Sequence, residues 1–201
     1  MPKANIKSLE SIRKEEILKA SLTSIADEGT INVTLDSIAK AAGFSKGGIT
    51  YYYSSKEVLL NEVFKYFHSI IHERAIKYIA KQTDPLQKLR SCLWLYNADD
   101  SRTKIMIPLL LEVMSMATKD SDYHQAFKNW TAGWVVMLEE IIEEGNACGQ
   151  FQVEDIEETA KYISCALQGV ATRWNLSRDS HSKEWAHQAF EKIIAPFLKT
   201  A

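Results

Sequence analysis

The densest collection of side chains able to do chemistry lies in residues 43–56, GFSKGGITYYYSSK. Three serines, a threonine, three tyrosines and two lysines stand there beside three glycines. Hydroxyls and ammonium groups donate hydrogen bonds to phosphate oxygens, and glycine lets a main chain come close to a partner. Thr50 can also meet a base edge or a thymine methyl. The set suits a polyanion better than a reaction. Gly43 and Gly48 have the separation of a nucleotide-binding phosphate loop, but Ile49 stands where that loop needs lysine.

Two helices must position these residues. Leu35, Ile38, Ala39 and Ala42 give one apolar face to a helix over 34–42, with Thr34 as N-cap and Asp36 in its first turn. Gly43 stops it, and after the turn Gly43-Phe44-Ser45 a short helix runs to about Tyr53. That is helix-turn-helix spacing. The second helix is intrinsically poor, since glycine costs about 1 kcal/mol in a helix interior. At about 100° per residue, Ile49 and Tyr53 share its inner face while Gly47, Gly48, Thr50 and Tyr51 point outward. A helix that enters a major groove needs such a small, polar outer face. Ser45, Lys46 and the tyrosine hydroxyls can bond phosphates, and Thr34 and Lys56 stand at neighbouring helix N-termini, where phosphates are held.

The remaining pattern is helical. Ile12, Ile17, Leu22, Ile25 and Ala26 mark a first helix that Gly29 closes. Ser54-Ser55-Lys56-Glu57 reads as a capping box with Ser54 as N-cap and Glu57 at N3, and Tyr53 with Val58 as a hydrophobic staple. The helix it opens runs to about Lys81. Asp84-Pro85 opens another. Residues 97–101 are a break, and the helix over 103–117 carries Pro108 and an expected kink. A long helix covers about 122–146, Asp155 with Glu158 starts the next, to about 177, and the last, about 182–199, carries Trp185 to Phe197. This predicts an all-α chain of about nine helices.

Other candidate chemistry is sparse. His68 and His72 share a helix face at metal-binding spacing, but no third ligand or H-E-x-x-H motif accompanies them, so a hydrogen-bonded face is expected and no metal. Cys92, Cys148 and Cys165 show no C-x-x-C or zinc-finger spacing and read as free thiols. No nucleophile–base pair or cofactor loop emerges. Glu112 interrupts the apolar stretch PLLLEVMSM and could meet a cationic ligand, an internal cation or solvent. Phe67, Trp94, Met116, Trp130, Trp134, Met137 and Trp174 could line an adaptable apolar pocket for a hydrophobic or cationic aromatic molecule. Aromatic residues at helical spacing are as a rule simply core.

Residues 1–56 carry eight Lys/Arg against six Asp/Glu, and the remainder sixteen against twenty, so the overall charge of −2 hides a slightly basic start. Hydrophobic residues make up 46% of the 201 and charged ones 25%, an ordinary globular composition. The N-terminus lacks the apolar core of a signal peptide, and the apolar run Ile105–Leu111 is too short to span a bilayer, so a cytoplasmic protein with no membrane partner is expected.

The stretch TLDSIAKAAGFSKGGITYYYSSKEVLL resembles the DNA-binding signature of the TetR family of bacterial repressors, T-[VL]-x-x-I-A-x-x-A-G-V-S-x-G-x-L-Y-x-Y-F-x-S-K-E-x-L. Thr34, Ile38, Ala39, Ala42, Gly43, Ser45, Gly47, Tyr52, Ser55, Lys56, Glu57 and Leu59 match. Thr50 stands where the family has Tyr, and Tyr53 where it has Phe. The resemblance implies contacts to double-stranded operator DNA from Thr34, Ser45, Lys46, Gly47, Gly48, Thr50, Tyr52 and Lys56, with Tyr51 beside them. It implies a three-helix DNA-binding domain over 1–54 and a helical domain over 55–201 that binds an effector and dimerises. The last two long helices would form a four-helix bundle with a second copy, and Ile163, Leu167, Trp174, Trp185, Phe190 and Ile194 are the candidate homodimer contacts. A ligand-responsive repressor with no cofactor is the expected function. The alternatives are an all-helical enzyme and a DNA-binding regulator without an effector.

Overall fold

Local capping signals set the helix boundaries in the computed structural model, which describes residues 8–97 and 100–198. Among these, the elements are α1 (Leu9–Asn32), α2 (Leu35–Ala42), α3 (Lys46–Tyr52), α4 (Lys56–Ile79), α5 (Pro85–Ser91), a 3-10 helix (Cys92–Tyr96), α6 (Ser101–Ala117), α7 (Ser121–Ala147), α8 (Ile156–Leu176) and α9 (Lys183–Leu198), with no strand. Ser8, Thr34, Ser45, Ser55, Asp84, Asp100, Asp120 and Asp155 each accept a backbone N–H at a helix start. This satisfies a donor that the first turn leaves unpaired.

Two boundaries differ from the sequence reading. Ser55, not Ser54, caps α4, accepting from the Val58 N–H at 3.3 Å. Tyr53 is held extended at the end of α3, so the chain needs one more residue before it can turn into α4. Glu57 is then the second helical residue, and Val58 is exposed and staples nothing. Gly29 takes φ +80°, but the chain resumes a helical turn to Asn32, and the Val33 N–H bonds the Gly29 carbonyl at 3.1 Å. The helix α6 runs through Pro108 as one element. The predicted break at 97–101 falls partly outside the described residues.

The first three helices share a small core of Ile17, Ile25, Val33, Ile38, Ile49 and Tyr53, all buried. Ile12 and Ala26, predicted to join it, are exposed, and Ser21 and Ser24 are buried instead. The Ser21 hydroxyl donates to the Ile17 carbonyl at 2.8 Å, which removes the cost of burying it. Each fully buried Ile contributes about 1.5–3 kcal/mol. Leu59, Leu60 and Val63 of α4 continue this core, and Phe64, Phe67 and Ile71 carry it into the larger helical body. The Tyr123 hydroxyl of α7 donates to the Glu57 carbonyl, tying the start of α4 to that body. No helix among the described residues is long and apolar enough to cross a membrane.

Candidate nucleic-acid interface and effector cavity

The reading helix α3 is positioned by two turns. Gly43 takes φ +71°, a left-handed conformation that glycine reaches without a side-chain penalty, and the Phe44 N–H bonds back to the Ala39 carbonyl at 2.9 Å. Ser45 then caps α3, its Oγ accepting from the Gly48 N–H at 3.0 Å. On the inner side, Ile49 and Tyr53 are buried as expected, and burial, reinforced by the nearby Glu62 charge, pushes the Tyr53 phenol up to about 12.

On the outer side Lys46, Gly47, Thr50 and Tyr51 are exposed, Tyr51 at 81%. A side chain at Gly47 would meet open space, with only Ser45 Oγ at 4.0 Å. Gly48 departs from the predicted outward position. A Cβ there would lie 3.3 Å from the Phe44 ring, so this glycine lets the turn pack. Tyr52 is half-buried against the core and meets the Tyr51 ring edge-on at 5.0 Å between centroids. The Thr50 hydroxyl lies within bonding distance of the Lys46 and Gly47 carbonyls, at 3.1 and 3.2 Å, which turns its methyl toward any partner.

The cations are partly engaged. Lys46 Nζ pairs with Asp36 at 2.9 Å, exposed and weak enough to yield to a phosphate. Lys56 Nζ donates to the Ile31 carbonyl at 3.0 Å. Thr34 and Ser37 cap one another reciprocally, each at 3.0 Å, which fixes the N-terminus of α2.

A narrow cavity lies inside the larger body, where the 3-10 helix, α6, α7 and α8 meet. Its volume is about 20 Å³, room for little more than one water molecule. Met106 and Leu110, Trp130 and Trp134, and Ser164, Leu167 and Gln168 line it. Of the eight predicted effector residues, the structure brings only Trp130 and Trp134 here. Glu112 is half-buried on another face of α6, and neither it nor any other carboxylate lines the cavity. Trp94 stacks instead on Arg74, whose guanidinium carbon sits 4.3 Å from the ring centre. Phe67 lies in a groove between α1, α4 and α6. Trp174 packs on Tyr96, Met137 is buried elsewhere on α7, and Met116 is only half-buried. Ser164 and Gln168 were missed. They flank the buried Leu167 as polar interruptions of an otherwise apolar face, and that was the signal.

Five of the six candidate dimer contacts lie in the interior of the single chain. Ile163, Leu167, Trp174, Phe190 and Ile194 are buried within this subunit, because α8 and α9 spend those faces on the intramolecular core. Trp185 is half-buried at the edge of a shallow apolar face formed by Tyr162, Gly169, Ile193 and Phe197. His68 and His72 are 5.9 Å apart between ring centroids, and no cluster of three metal-ligating side chains exists among the described residues.

Residues 17–63 match the family model described as bacterial regulatory proteins, tetR family, and residues 87–200 match the QacR-like protein, C-terminal region. The chain belongs to the TetR family. A BetI transcriptional regulator from Stenotrophomonas maltophilia is 33% identical over 103 residues, 51% of this chain and 50% of that protein. The match thus spans about half the length of that relative. The transcriptional repressor KstR2 from Mycolicibacterium smegmatis is 26% identical over 189 residues, covering 90% of this TetR-family chain and 88% of the relative. A transcriptional regulator from Saccharomonospora viridis, solved in complex with choline, superposes with a TM-score of 0.80 at 20% identity, over 92% of this chain and 96% of that one, and so shares the fold.

Proposed function

We propose that this TetR-family chain is an effector-responsive transcriptional repressor that works as a homodimer on a two-fold operator in the cytoplasm. The observation that carries the reading is α3 itself: a marginal helix held by Ser45 and Gly43, with Gly47, Thr50 and Tyr51 facing outward and no use for that face inside the protein. Thr34, Ser45, Lys46, Tyr51 and Lys56 take the phosphates, Gly47 lets the helix sink into the groove, and Thr50 offers its methyl to a base. Gly48 and Tyr52 act as supports. Two copies, with their reading helices about 34 Å apart or a multiple of it, fit a pseudo-palindrome.

The larger body supplies the response. Trp130 lines the cavity on one side and meets Phe64 and His68 of α4 on the other, at 5.6 and 5.1 Å between ring centroids. A molecule entering so small a cavity must swell it, and Trp130 passes that displacement to α4, which carries the reading helices. Operator and effector then bind with reciprocal coupling.

A gel-shift titration with the DNA upstream of the gene tests this. The expected result is a saturable complex that survives competitor DNA and an affinity that falls by about tenfold for Thr50→Glu. Equal retardation of unrelated duplexes would refute sequence-specific repression.

A further inference from the structure

We propose that the cavity selects a neutral, mainly hydrocarbon molecule bearing one hydrogen-bonding group, and that Gln168 and Ser164 read that group at the mouth of the site. The inference rests on the effector reading above and names the chemistry that reading leaves open.

The lining excludes charge. Among the described residues its polar groups are those of Ser164 and Gln168 and the indole N–H groups of Trp130 and Trp134, and all are neutral. A cation would shed its water with no carboxylate inside to replace it, and an anion would find no lysine or arginine. The ring faces of Trp130 and Trp134 could attract a cation, but without a carboxylate they replace only part of the hydration it gives up. The fold-sharing regulator from Saccharomonospora viridis was solved with choline. The apolar lining here argues for a different chemical class.

Ser164 and Gln168 also border the groove between α7 and α8 outside, so they stand where cavity and surface meet. They are four residues apart on α8 and therefore on one face. Gln168 Nε2 reaches across to the Met114 sulfur of α6 at 3.6 Å. A thioether is a weak acceptor, so a ligand hydroxyl or carbonyl displaces it at little cost. Met106 in the lining and Met114 beside Gln168 are adaptable enough to let the narrow cavity widen. The hydrocarbon part would lie against Trp130 and Trp134, with its polar end toward Gln168.

Calorimetric titration of the full chain with naphthalene, 2-naphthol and 2-naphthyltrimethylammonium tests this without DNA. The expected order is 2-naphthol tightest, naphthalene several-fold weaker, and the cation at least tenfold weaker than 2-naphthol. Gln168→Leu should retain naphthalene and lose the preference for 2-naphthol, while Gln168→Glu should gain the cation. Cation binding equal to that of 2-naphthol, no binding of any of the three, or an unchanged preference in Gln168→Leu would overturn the assignment. A gel shift then separates the two readings: 2-naphthol bound in the expected order without release of operator would sink the effector reading and leave the selectivity standing.

Discussion

The His68 and Trp130 rings lie 5.1 Å apart across the contact between α4 and α7. His68 Nε2 is buried there without a hydrogen-bond partner, and a Cβ on Gly133 would sit 3.3 Å from it. Such a place tolerates the neutral imidazole only. Burial, and after it the charge of His72, lowers the His68 pKa to about 4.

That shift gives acid sensitivity a definite window. Above about pH 6.5 the ring is neutral in the folded and unfolded chain alike, and the stability is fully present. As pH falls from 6.5 toward 4 the unfolded chain takes up a proton that the folded chain refuses, so stability is lost, and the loss levels off below 4. The ring is partly exposed, which screens the penalty to about 1–2 kcal/mol. Urea midpoints measured from pH 7 to pH 4 should fall less steeply for His68→Gln than for the parent chain. Parallel curves would show that His68 titrates normally.

Gly47 offers a separation of stability from function. It lies inside α3 with ordinary helical φ, and a Cβ would meet nothing nearer than 4.0 Å. Gly47→Ala should therefore stabilise the chain by about 0.5–1 kcal/mol, by lowering the entropy of the unfolded state and raising helix propensity. The same methyl would stand between backbone and DNA, so operator affinity should fall while Tm rises. A variant that gained in both would mean that α3 does not approach the duplex closely.

The reading helix was legible because its signals are local. Thr34, Gly43 and Ser45 act through hydrogen bonds within four residues of themselves, and a sequence displays such spacings directly. The cavity was not legible, because Met106, Trp130 and Ser164 come from three helices whose rotation depends on every other packed face. The sequence left Glu112 open between a ligand, an internal cation and solvent, and the structure puts it on another face of α6 from Met106 and Leu110. The same holds for the last two helices: the apolar bulk of Ile163, Phe190 and Ile194 is visible in the sequence, but that it is buried within the chain is a tertiary fact.

Gly145 makes a packing prediction at the end of α7. A Cβ there would lie 1.9 Å from Cδ2 of Phe151, a ring that is fully buried and has nowhere to go. The segment is pinned besides by Asn146, which bonds the Val153 main chain through both amide atoms, at 2.7 and 3.0 Å. Gly145→Ala should cost about 3 kcal/mol or more by overpacking. Adding Phe151→Leu, which removes the offending edge, should recover part of the loss, and additive costs in the double mutant would argue against that clash.

The shallow face of α8 and α9 carries the homodimer part of the proposal. Tyr162, Ile193 and Phe197 are 48%, 43% and 37% exposed, and the Tyr162 and Phe197 rings lie 5.3 Å apart between centroids, so the apolar surface is contiguous. Gly169 adds a position with nothing within 4 Å of its would-be Cβ, which lets a partner helix come close. A charge placed there would be buried unpaired in both subunits, at a cost well above that of a surface substitution. The double variant Ile193→Glu, Phe197→Glu should elute as a monomer with an unchanged helical circular dichroism spectrum. Because a monomer meets one half-site, its operator affinity should drop by at least a hundredfold. A variant that remained dimeric by light scattering would move the interface to another face of the molecule.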